Sequence, residues 1–85
     1  MAVVGVVVEQ SVLEARRAAR AELNAVVDTL IEEFDGLLPA GVVIGQVARS
    51  REQLLGLGVR SGLAAATEAM ARVRLLEQLP TGVRT

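Results

Sequence analysis

The chain has 85 residues, of which 52% are hydrophobic and 22% are charged, and its nine basic and ten acidic residues leave a net charge of −1. This length provides one small domain, and so apolar a composition excludes a chain that is disordered throughout. The near-neutral charge creates no positive surplus to attract a polyanion, so a dedicated nucleic-acid-binding protein is disfavoured.

Residues 1–10 contain an apolar run, Ala2 to Val8, that is far shorter than the roughly 20 residues of a membrane-spanning helix. The run has neither the basic start nor the cleavage site of a signal peptide. A single β-strand here would need a partner strand from another chain, so a frayed tail or a helix extension is favoured. We therefore expect an apolar N-terminal tail, no membrane span and a cytoplasmic location.

The first long helix is predicted over about 12–35. Ser11 suits the N-cap position and Glu14 completes a capping box, while Gly36 marks the end. Apolar residues then recur at helical spacing and form one broad face. These residues are Leu23, Val26, Val27, Leu30, Ile31 and Phe34. Towards Ser11 the same face thins to small and mid-sized side chains.

The second helix is predicted over about 39–55 and the third over about 62–79. Pro39 suits a first helical turn, Gly56 and Gly58 indicate a short flexible connection, and Ser61 suits the next N-cap. The predicted apolar sets are Val43, Ile44, Val47, Leu54 and Leu55 in helix two, and Leu63, Ala66, Met70, Val73 and Leu76 in helix three.

Three helices with short connections predict an all-α domain over residues 11–80, followed by a short C-terminal tail at 81–85. The architecture is a three-helix bundle or an open helical hairpin with a long first helix. A chain this short buries a limited share of its surface, so dimerisation would complete its core. The core would consist of aliphatic side chains around the one aromatic residue, Phe34.

Residues able to carry catalysis are scarce. The chain has no Cys and no His, and all nine of its basic residues are Arg, so none of its serines has a base to activate it. The carboxylates Asp28, Glu32, Glu33 and Asp35 could be a metal or catalytic cluster, but without other ligand types a solvated helix face explains them better. We expect no enzymatic activity and no cofactor.

Nucleic-acid binding is the alternative from a different class. Arg49, Arg51 and Arg60 lie in or near turns and could contact phosphates as part of a small dimeric regulator. The helix that would read bases begins Gly62-Leu63-Ala64, which offers no side chain able to contact base edges. Nucleic acid is therefore an unlikely partner.

Self-association is the favoured interpretation, because charge is divided along helix one. Arg16, Arg17 and Arg20 precede Asp28 and Glu32, an order opposite to the one that the helix dipole prefers. An antiparallel pair of helices would place each basic end against an acidic end. In the alternative, Arg49, Arg51, Arg72 and Arg74 neutralise the acidic end within one chain. The predicted interface or core residues are Val12, Ala19, Leu23, Val26, Leu30, Phe34 and Leu37.

Two segments also resemble a known family. "EFDGLLPAGVV" at 33–43 and "LGVRSGLAAATEAMARVRL" at 57–75 are similar to small actinobacterial proteins with a three-helical-bundle dimerisation domain. The matching positions are Phe34, Pro39, Val59, Arg60, Ser61, Leu63, Glu68, Ala71, Arg72 and Leu75. The chain departs from the family at Gly62, where an aromatic residue is frequent, and at Ala64, where a proline is frequent.

The resemblance implies a dimeric all-α module without catalytic residues. Together with the residue patterns, it predicts a small protein–protein interaction module that forms a homodimer and leaves a different protein partner open.

Overall fold

The computed structural model describes the backbone of residues 2–80 and the side chains of residues 11–80. These residues form three helices, α1 (Ala2–Glu33), α2 (Ala40–Gly56) and α3 (Leu63–Glu77), and no strand. The predicted all-α, three-helix class is confirmed. The three helices pack against one another, and α2 and α3 share the largest contact.

Helix α1 begins at Ala2, well before the start predicted at Ser11. Ser11 is therefore inside the helix, and its predicted role as N-cap is wrong. Serine only weakly disfavours a helical interior, and extending an existing helix costs far less than nucleating a new one. The strong helix formers that follow Ser11 allow the helix to run through it.

The core lies between the C-terminal half of α1 and the other two helices. Its buried residues are Val26, Leu30, Phe34, Val43, Val47, Ala71, Leu75 and Leu79, with Leu54 buried nearby. Leu23, Val27 and Ile31 are partly buried against this cluster. The stripe predicted for helix one is thus confirmed, and it spans the half of α1 that follows the N-terminal arginines.

The buried stripe of α3 differs from the predicted one. Thr67, Ala71 and Leu75 are buried, whereas Val73 and Leu76 are exposed. In α2, Ser50 is buried and Ile44 is exposed. The buried residues of α3 are spaced four apart and those of α2 four, three and four apart, and both sets include small residues, which permit close approach of α2 and α3. The prediction was wrong here because it gave hydrophobicity more weight than size.

The connection after α2 is a hydrogen-bonded cap, not the flexible link predicted. Val59 N–H donates to the Leu54 carbonyl at 3.0 Å and Gly58 N–H to the Leu55 carbonyl at 3.0 Å. Gly58 has φ +88°, so this is a Schellman motif. The N-cap of α3 is Gly62 instead of Ser61, and it makes no side-chain capping bond.

The molecule is elongated because α1 is much longer than its neighbours. Its extents are 63 × 25 × 16 Å and its radius of gyration is 16.3 Å. A compact domain of this length would have a radius of gyration of about 12 Å. With 32 residues against 17 and 15, α1 extends beyond what α2 and α3 can cover.

Candidate functional site

Residues 11–22 of α1, here called the arm, contact little of the rest of the molecule. All twelve are exposed, and the first partly buried residue along the described part of α1 is Leu23. An amphipathic helix normally gains most of its stability by packing one face against a neighbour. The described residues cover no such face of the arm.

The apolar stripe that α1 buries in the bundle continues along the arm. Val12, Ala15 and Ala19 precede Leu23 by eleven, eight and four residues, so they lie on the same side of the helix. Val12 is 44% exposed, and its neighbour Leu13 is 49% exposed. The arm therefore presents an uncovered extension of the bundle-facing stripe.

Three arginines meet where the arm leaves the bundle. Arg16 and Arg20 of α1 and Arg51 of α2 border a surface groove whose apolar floor is Ala19 and Leu23. We call this the arginine groove. Among the described side chains, none of its three guanidinium groups forms an ion pair. The groove is therefore a concentration of positive charge on a protein whose net charge is −1.

The acidic end of α1 is partly neutralised within the chain. Arg72 Nε donates to Glu33 Oε2 at 2.8 Å and Arg72 Nη2 to Glu33 Oε1 at 3.1 Å, a two-pronged contact. Arg72 also pairs with Glu68 at 3.3 Å. The hydrogen bonds with Glu33 raise the pKa of Arg72 above its ordinary value, and burial lowers it to a smaller extent.

The other acidic residues of this end, Asp28, Glu32 and Asp35, are exposed. The ion pairs of the described residues do not include them. Of the four arginines considered for neutralisation within the chain, Arg72 fulfils that role. Arg74 instead donates a hydrogen bond to Gln53.

The residues predicted as interface or core fall into two groups. Val26, Leu30 and Phe34 belong to the core of the single chain, and Leu23 borders it. Val12, Ala19 and Leu37 are exposed, as are the charged residues Arg16, Arg17, Arg20, Asp28 and Glu32. The exposed group is the part available for an interface.

The three arginines of the nucleic-acid alternative are not assembled on one face. Arg51 borders the arginine groove, whereas Arg49 lies beside Arg74 and Glu77 on another part of the surface. Two residues apart on a helix, Arg49 and Arg51 point about 200° apart. Arg60 lies in the turn between α2 and α3 and is exposed.

Two buried hydroxyl groups were missed by the sequence patterns. Ser50 Oγ and Thr67 Oγ1 are buried and have no hydrogen-bond partner among the described residues. Thr67 also lines a cavity of about 30 Å³ at the base of the arm, together with Leu23, Arg51 and Leu63. The sequence signal for these two residues was a serine and a threonine at positions that share a helix face with apolar residues.

Other kinds of site receive no support from the described residues. Within 2–80, whose side chains are described from residue 11 onward, no group of three or more acidic, His or Cys residues is arranged to hold a metal ion. None of the helices in that range combines the length and apolarity needed to cross a membrane. Two surface depressions, one beside Arg49 and Arg74 and one beside Glu22 and Glu68, are shallow and open, without convergent catalytic groups.

Comparisons of the chain with protein families, with curated proteins and with solved structures find no match. The resemblance to the three-helical-bundle dimerisation family therefore stays a prediction. Packing within one chain explains several of the residues that carry it: Phe34, Ala71 and Leu75 are core residues, and Glu68 and Arg72 form an ion pair.

Proposed function

We propose that this protein is a non-enzymatic homodimerisation module whose contact is made through α1. The observation that carries the proposal is the arm, a helical segment that is exposed on every side and extends an apolar stripe beyond the bundle. A helix of this length standing alone is marginal in water even with favourable residues. A second copy would supply the packing that the single chain does not.

The apolar surface of the arm is large enough to contribute to association. Burying the exposed parts of Val12 and Leu13 would stabilise a complex by about 1–2 kcal/mol for each side chain, and a two-fold dimer counts each contribution twice. Exposed ion pairs contribute less, about 0.2–1 kcal/mol each. Apolar contact therefore provides most of the affinity, and charge favours one orientation.

Molar mass by light scattering across a concentration series, at low and high salt, tests the proposal. We expect a mass near twice 8.9 kDa that persists in high salt, because apolar burial is not screened by ions. A mass of one chain at every concentration and salt level would contradict homodimerisation.

Val12→Asp locates the contact on the arm. A carboxylate on the apolar stripe should raise the dimer dissociation constant at least tenfold while leaving helicity and bundle stability nearly unchanged. Val73→Asp is the matched control, since Val73 is 55% exposed and belongs to α3. The arm would be excluded as the contact if the two variants dimerised equally well.

A further inference from the structure

The charges of α1 are arranged symmetrically about one residue. Arg20 and Arg16 precede Asn24 by four and eight residues, and Asp28 and Glu32 follow it by the same intervals. All five positions are exposed. Residues at four-residue intervals form one ridge along a helix surface. This ridge is basic on one side of Asn24 and acidic on the other.

The following inference rests on the proposed homodimer. We propose that the two-fold axis of the dimer passes beside Asn24, and that the acidic half of each ridge enters the other copy's arginine groove. The occupant of the groove is thus a second copy of this chain. Arg20 would pair with the partner's Asp28, and Arg16 with the partner's Glu32. The helices would cross at a shallow angle, about 20°, which keeps both ends of the ridge and the arm beyond it beside the partner's α1.

The supporting observation is the complementary charge of two surfaces that have no ion pairs among the described residues. The groove collects three guanidinium groups, one of them from α2. The other half of the ridge presents two carboxylates with the same four-residue spacing, and neither belongs to the ion pairs of the described residues. The groove provides positive charge and the acidic half of the ridge provides negative charge, so a two-fold operation places each patch against the opposite patch of the other copy.

The adjacent surfaces agree with this arrangement. Glu33, the neighbouring carboxylate, already pairs with Arg72 and faces α3. Arg49, the neighbouring arginine on α2, lies on a different part of the surface. The charged residues of the ridge and the groove thus belong to no ion pair among the described residues. Glu22, another such residue close to Asn24, borders the neighbouring cavity with Arg51.

Disulfide formation by Asn24→Cys tests the position of the axis. Near a two-fold axis the two Cβ atoms would come within the roughly 4 Å that a disulfide requires. The chain has no other cysteine, so any covalent dimer must use the new pair. Thr29→Cys is the control, because this register places the two Thr29 residues about 15 Å apart along the helices. We expect rapid cross-linking at position 24 and slow, collisional cross-linking at position 29.

Charge reversal tests the pairing. Arg20→Asp and Asp28→Arg should each raise the dissociation constant about tenfold, since each replaces two attractions with two repulsions. The double variant should return to within about threefold of the original value. Arg51→Gln should weaken the dimer severalfold, and Arg49→Gln on the same helix should not.

The outcomes separate this inference from the proposed function. A stable dimer in which the variants at positions 24 and 51 behave like their controls, and in which Arg20→Asp and Asp28→Arg lose no affinity, would overturn the register but leave homodimerisation standing. A monomeric chain would overturn both. A monomer whose binding to duplex DNA is abolished by Arg20→Asp would also overturn both and assign the groove to phosphate.

Discussion

The two halves of α1 share one continuous helix and a similar content of apolar residues, yet their surroundings differ completely. Residues 11–22 are all exposed, whereas Val26, Leu30 and the following Phe34 are central to the core. The difference arises from the lengths of the neighbours. Helices of 17 and 15 residues extend about 26 and 23 Å, against about 48 Å for α1. Burial is therefore decided by the reach of α2 and α3.

The largest expected difference in stability between the two halves comes from replacing a leucine in each. Leu30→Ala should reduce the free energy of unfolding by about 2–5 kcal/mol, because it leaves a cavity in the core. Leu13→Ala should change the stability of the single chain by less than about 0.5 kcal/mol, because its side chain is half exposed and contacts little. Urea unfolding followed by circular dichroism, at concentrations low enough to favour monomers, measures both.

Equal losses for Leu30→Ala and Leu13→Ala at low concentration would mean that the arm packs within its own chain. A loss for Leu13→Ala that grows with protein concentration would instead support contact between copies, since association stabilises the folded form by mass action.

A second test concerns the boundary between the halves, where Thr67 lines the cavity below the arm. Thr67→Val keeps the shape and removes a buried hydroxyl group that has no hydrogen-bond partner in the described part of the chain. We expect the free energy of unfolding to rise by about 1 kcal/mol. Thermal unfolding measures this shift, and a clear decrease would show that the hydroxyl is hydrogen-bonded in solution.

The smallest test compares an arginine from each region. Arg72→Gln should lower stability by about 0.5–1 kcal/mol, since its two-pronged contact with Glu33 is only partly exposed. Arg17→Gln in the arm should have almost no effect on the single chain. Arginine is charged throughout the neutral range, and the upward pKa shift of Arg72 acts in the same direction, so its contribution should stay constant with pH there and shrink with salt. If high salt did not reduce the difference between the two variants, the ion pair would not be its source.

The number of helices, their order and most of the core of α1 could be predicted from the sequence. Pro39 and the glycines near residues 36 and 58 mark the connections, and the apolar period from Leu23 to Phe34 is long enough to be unambiguous. Because these signals are local, they can be recognised without knowledge of the tertiary contacts between the helices.

The stripe of α3 and the extent of the arm could not be predicted in the same way. Thr67, Ala71 and Leu75 are buried because α2 approaches that side of α3, whereas hydrophobicity alone favours the exposed Val73 and Leu76. The arginine groove depends on Arg51 of α2 reaching the level of Arg16 and Arg20. Tertiary packing decides both features.

Because α1 is one continuous helix, the direction of the arm is fixed by how the rest of α1 packs in the bundle. From Leu23 to Ser11 the helix rises about 18 Å, so a tilt of 10° at Leu23 would displace Ser11 by about 3 Å. The packing of core side chains near Val26 and Leu30 therefore determines the direction in which the arm extends, although these side chains do not contact it. In the proposed dimer, substitutions there would change the contact between two copies through the angle of the arm alone, even where the bundle remains folded.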